Sequence, residues 1–236
     1  MGAALVLALV CAACGAGAGH PAASGPTTAL TAVATNLRLR GGGNLAVVEL
    51  DLAPQRGFGL SLLAREPAGG TVALMIAAPG EVATPLKRIA RLTSGLVVYW
   101  AAVPSEGPQR WTINSPEGVG HVTVSGFLSP QGGEHGMGWA TTPDRPTPGP
   151  LRLLVASQSQ QVWMVYGDTI SALPGTGGTS LVLDTGGHQV AAAGIADAGQ
   201  GRFVAYFPPT SAGPGAAFVY LAQGRTVSSW PLSPPG

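Results

Sequence analysis

The chain has 236 residues, 45% of them hydrophobic and 10% charged, with a formal net charge of +1 at pH 7. A balance so close to neutral argues against nucleic-acid binding, which depends on a basic face. The 36 Gly and 21 Pro, about a quarter of the chain, would indicate disorder if apolar residues were scarce; at this apolar content they indicate turns between many short strands.

Ala3 to Ala13 is an unbroken run of Ala, Leu, Val and Cys, the length of a signal-peptide core and well short of the ~20 apolar residues that span a bilayer. Small residues follow at Gly15 and Ala16, as a signal peptidase with narrow pockets requires. Gly and Pro come next without an amphipathic period, which argues against a core helix. Cys14, with Ala12-Ala13 before it and Gly15 after it, resembles the lipid-modified cysteine of bacterial lipoprotein precursors. That resemblance implies a signal peptide over residues 1–13, an acyl anchor on Cys14 and attachment of the mature chain to a membrane. The match departs at Cys11, where such signals usually carry a branched aliphatic residue, and in a leading segment without Lys or Arg. Ala16-Gly17-Ala18 also fits an ordinary A-x-A cleavage site, and a cut near Ala18 would release a secreted protein instead. On either route no pair of cysteines is left to staple the mature domain, so its stability must come from a buried core.

Residues 14–36 have the Gly, Ala, Pro, Ser and Thr composition of a tether, and His20 within it is read as solvated. A first β unit is expected over 37–130. Ala46, Val48, Leu50 and Leu52 alternate with Val47, Glu49 and Asp51, the period of a half-buried strand. Apolar segments follow at Phe58 to Leu63, Val72 to Ala77 and Leu96 to Val103, bounded by Gly or Pro, and the last is apolar throughout, as a strand buried on both faces would be. Thr84 to Leu92 fits a helical turn through Leu86 and Ile89 and equally a strand through Leu86, Arg88, Ala90 and Leu92. His121 to Phe127 alternates again. Residues 131–150, with Gly132-Gly133 and Pro143, Pro146, Pro148 and Pro150, read as a linker. A second β unit over 151–236 is expected from strands at Leu151 to Val155, Val162 to Tyr166, Ser180 to Asp184, Gln189 to Ile195, Phe203 to Phe207, Ala216 to Ala222 and Thr226 to Trp230.

The second half echoes the first. Val97-Val98-Tyr99-Trp100 before Ser105-Glu106-Gly107-Pro108 is matched by Phe203-Val204-Ala205-Tyr206 before Ser211-Ala212-Gly213-Pro214, an offset of 106 between Gly107 and Gly213. Gly118 and Gly224 keep that offset. Gly69-Gly70-Thr71 pairs with Gly177-Gly178-Thr179 at 108, and Leu128-Ser129-Pro130 with Leu232-Ser233-Pro234 at 104, a drift that loop insertions produce. A unit this long exceeds solenoid repeats. The expected fold class is therefore all-β, as two tandem or pseudo-symmetric β-sandwich-like units.

Three places carry residues suited to chemistry. Leu181-Val182-Leu183-Asp184-Thr185-Gly186-Gly187 resembles the catalytic loop of aspartic proteases, whose mechanism needs two such carboxylates. The equivalent stretch of the first half, Met75-Ile76-Ala77-Ala78, has no acid, so only a homodimer could supply the pair, and a hairpin turning at Gly186-Gly187 explains the same residues. Glu134-His135, with Asp144 nearby in sequence, could hold a metal or perform acid/base work, yet no second histidine stands at ligand spacing. Lys87, Arg88 and Arg91 form the single basic cluster, suited to an anionic polymer, to lipid headgroups or simply to a charged face. No nucleophile elbow, Walker loop, zinc spacing or dinucleotide fingerprint is present, and no cofactor is expected. Trp100, Trp111, Trp139, Trp163 and Trp230 could line a glycan or peptide groove, although Trp100 and Trp163 sit inside apolar strands and read as core.

The sequence thus predicts an exported, lipid-anchored protein of the cell envelope. Its mature part is expected to be a non-catalytic binding or scaffold module for an envelope protein or glycan. The alternative is an envelope hydrolase using Asp184 in a homodimer, or Glu134 and His135.

Overall fold

The computed structural model describes residues 30–32, 37–40, 46–50, 57–67, 70–102, 109–115, 121–130, 150–158 and 162–232. Among these residues every regular element is a strand. The first half carries β1 (Leu30–Ala32), β2 (Leu37–Arg40), β3 (Ala46–Leu50), β4 (Leu60–Arg65), β5 (Leu74–Ala77), β6 (Thr84–Arg91), β7 (Val97–Ala101), β8 (Gln109–Asn114) and β9 (His121–Pro130). The second carries β10 (Leu151–Gln158), β11 (Trp163–Thr169), β12 (Thr179–Asp184), β13 (Gln189–Ala191), β14 (Gly194–Gly199), β15 (Arg202–Phe207), β16 (Ala217–Ala222) and β17 (Arg225–Pro231). All pairings are antiparallel.

Nine strands make one sheet in the order β1-β9-β4-β7-β6-β5-β8-β3, with β2 also paired to β9. The sheet doubles back along β6, whose first residues pair with β5 (Leu86 opposite Leu74) and whose later residues pair with β7 (Lys87 opposite Trp100). An inner leaf, β9-β4-β7-β6, thereby faces an outer leaf, β5-β8-β3. Leu60, Leu62, Val97 and Tyr99 of the inner leaf pack between the two against Leu74, Ile76, Trp111 and Ile113 of the outer. The second half encloses a comparable core. Its sheets β10-β11-β15-β14 and β13-β12-β16-β17 bury Trp163, Val165, Phe203 and Phe207 against Leu181, Leu183, Phe218 and Tyr220.

A third core joins the halves. Leu63, Val98 and Trp100 of the first inner leaf lie against Met164, Tyr166, Val204 and Tyr206 of the second inner sheet. The molecule is thus four layers deep, with two inner sheets apolar on both faces. This is why β7 is buried at every residue and reads as a continuous apolar run, since alternate side chains enter different cores. Leu62 enters the first core and Leu63 the shared one. Ser61 and Tyr206 share a buried hydrogen bond of 2.6 Å across the junction, and the Phe58 and Tyr166 rings meet at 5.2 Å. Gly194 marks a close approach to the β6 backbone: a Cβ there would lie 2.7 Å from the Ile89 carbonyl oxygen.

The repeated sequence is a repeated structure. Val98 and Val204, Trp100 and Tyr206, Ala90 and Ala196, each pair 106 residues apart, occupy the shared core together. Strands β4-β7-β6 match β11-β15-β14, and β5-β8 match β12-β16. The equivalence ends at the flanking strands. β3 joins the outer leaf beside β8, whereas its counterpart β10 joins the inner sheet beside β11. β9 lies in the inner leaf beside β4, whereas its counterpart β17 lies in the outer sheet beside β16.

Other differences from the sequence reading have local causes. Thr84 to Leu92, open there between helix and strand, is strand to Arg91. Its mixed period arises because a bulge between Arg88 and Ala90 sends Leu86 to the first core and Ala90 to the shared one. Gln189 to Ile195 is two strands, since β13 serves the outer sheet and β14 the inner, as the two ends of β6 do. β8 was not among the expected strands, and β1 falls within the range read as tether, paired to β9.

Candidate functional site

An open cleft of about 350 Å³ lies where the two sandwiches meet. One wall is the start of β6 and the end of β7, with Thr84, Lys87, Trp100 and Ala102; the other is the end of β14, with Asp197 and Gly199. Local structure fixes the polar groups on both walls. Lys87 stands opposite Trp100 in the β6–β7 ladder, and its ammonium lies 5.8 Å from the indole centroid, within cation–π range. The indole is itself anchored, because its Nε1–H donates to the Phe58 carbonyl at 2.7 Å. On the facing wall Asp197 precedes the tight turn through Gly199, Gln200 and Gly201, all with positive φ. One Asp197 carboxylate oxygen accepts the Gly199 N–H at 2.8 Å, which holds the side chain at the strand end. Among the described residues Lys87 and Asp197 make no ion pair with each other.

A second polar group sits on the opposite face of the same leaf. The Glu66 side chain has no exposed surface and receives the Arg88 guanidinium through Nε at 3.0 Å and Nη2 at 3.2 Å, Arg91 Nη2 at 2.7 Å, and the Tyr99 hydroxyl. Burial acts to raise the Glu66 pKa, but the Arg88 and Tyr99 hydrogen bonds and the charges of Arg88 and Arg91 outweigh it, so the carboxyl is held below its ordinary value. Tyr99 moves the other way, raised by burial and by its hydrogen bond to Glu66. A carboxylate so fully engaged has no free lone pair aimed at solvent. It closes the rim of the first core.

The basic cluster is therefore divided. Arg88 and Arg91 turn to Glu66, while Lys87 turns to Trp100 and the cleft. Asp184 ends β12, and one of its carboxylate oxygens accepts the Gly186 N–H at 2.9 Å. The Thr185 N–H donates to the His188 carbonyl at 3.0 Å, closing the hairpin to β13. Asp184 thus does the work of a turn residue, as the hairpin reading expects. Trp100 and Trp163 are buried in the shared and second cores. Among the described residues no three His, Cys, Asp or Glu gather as metal ligands would. Cys14, His20, Glu134, His135, Trp139 and Asp144 lie outside the described residues.

Sequence reasoning missed Glu66 and Asp197. Asp197 had a faint signal, a lone acid among small residues in Ala196-Asp197-Ala198-Gly199. Glu66 had none, since its partners are 22, 25 and 33 residues away and only strand pairing assembles them.

Fold and cleft together define an all-β protein of two face-packed sandwiches with a small charged cleft at their junction. No protein-family model, curated protein or solved structure matches the chain.

Proposed function

We propose that this chain is an exported, lipid-anchored protein of the cell envelope, whose β sandwiches act as a non-catalytic binding or scaffold module for an envelope protein or glycan. One observation supports the binding role: the cleft presents a held cation, an indole and a held carboxylate. The anchoring role rests on the residues around Cys14, where two or more acyl chains would give stable attachment and one would be marginal.

Membrane partition tests the anchor. The wild-type chain is expected in the membrane fraction and the Cys14→Ser chain in the soluble fraction, without lipid by mass spectrometry. Retention of Cys14→Ser on the membrane with unchanged processing would overturn the assignment.

A further inference from the structure

We propose that the cleft between the sandwiches binds a short zwitterionic peptide, its carboxylate on Lys87 and its ammonium on Asp197. The proposal rests on the binding-module reading and names the ligand class for that site. Lys87 belongs to the first sandwich and Asp197 to the second, and both line the same open cleft without pairing with one another. Each is placed by its own sandwich, Lys87 over the Trp100 ring and Asp197 on the Gly199 N–H. That N–H occupies one carboxylate oxygen and leaves the other to accept from a ligand. Lys87 has three donors and no hydrogen bond within the described residues. Preorganised charges of both signs, set across a gap, complement a molecule carrying both signs at its ends. The floor between them is apolar, contributed by Trp100 and Ala102. A volume of about 350 Å³ stands at the small end of ligand sites, which suits a dipeptide.

Titration calorimetry on the full chain tests this with Ala-Ala, N-acetyl-Ala-Ala and Ala-Ala amide as probes. Ala-Ala is expected to bind saturably, and capping either end to weaken it at least tenfold. Lys87→Gln is expected to weaken Ala-Ala at least tenfold while leaving the weaker binding of the amide unchanged. Asp197→Asn keeps the oxygen that accepts the Gly199 N–H, and should do the same for Ala-Ala but not for the acetylated probe. Absence of Ala-Ala binding, or equal binding of all three probes, would overturn the proposal and leave the membrane-partition result standing. Hydrolysis of bound Ala-Ala, read by mass spectrometry, would support the ligand class and overturn the non-catalytic reading instead.

Discussion

The Glu66 carboxylate faces two guanidinium groups and a phenol, and its charge is what keeps them in place. Glu66→Gln retains an acceptor but loses the charge. A fully buried pair would cost about 3–5 kcal/mol when broken, yet the Arg88 and Arg91 side chains are 36% and 50% exposed, so solvent screening brings the expected loss to about 1–3 kcal/mol in urea unfolding at neutral pH. The sign of the pH dependence follows from the lowered folded-state pKa. The stabilisation is complete above the unfolded value of ~4.3 and is lost as pH falls through the folded one, so Glu66→Gln should flatten the acid limb of the stability profile. Tyr206 supplies a test at the junction. Ser61→Ala leaves its buried hydroxyl without the 2.6 Å partner and should cost about 1–3 kcal/mol, whereas Ser61→Ala with Tyr206→Phe should cost less than the sum of the single changes. Residue roles were the least legible part of the sequence. Asp184 could be read as a turn because its hydrogen bond is two residues away, while Glu66 depends on partners that only the folded sheet brings near.

Elements were legible where one rule governed them. β7 and β15 satisfy a single requirement, burial on both faces, and their apolar runs announce it. β6 satisfies two, since it belongs to both leaves and changes core at a bulge, so neither a period of two nor one of 3.6 fits its whole length. In the second half the same task is divided between β13 and β14, and Gly194 begins the inner strand because β6 passes so close. Gly194→Val would drive side-chain carbons into the Ile89 carbonyl and its side-chain methyl. The expected cost is about 1–3 kcal/mol, measured by thermal unfolding, as an overpacked contact between sheets demands. A valine at Gly187, where a Cβ meets nothing within 4 Å, is the matched control and should change stability by less than about 0.5 kcal/mol.

At the scale of the whole molecule, the repeat predicted two similar β units but neither the core they share nor the exchange of flanking strands, because equivalent sequences do not state which neighbouring sheet an edge strand joins. Among the described residues, thirteen buried ones form the core that belongs to both halves. Calorimetry is therefore expected to show one unfolding transition, with two resolved transitions as the contrary result. Burial raises the pKa values of Tyr99, Tyr166 and Tyr206, so their contribution is full below the unfolded value of ~10 and declines as pH rises beyond it. Stability should fall on the alkaline side, with phenolate absorbance appearing together with unfolding. The shared core also sets an order of events. Ser61 meets its partner 145 residues further along the chain, so a newly made first half carries Leu63, Val98 and Trp100 uncovered until the second half arrives. Such long-range closure makes folding slow, and in that interval the nascent chain exposes apolar surface that favours aggregation.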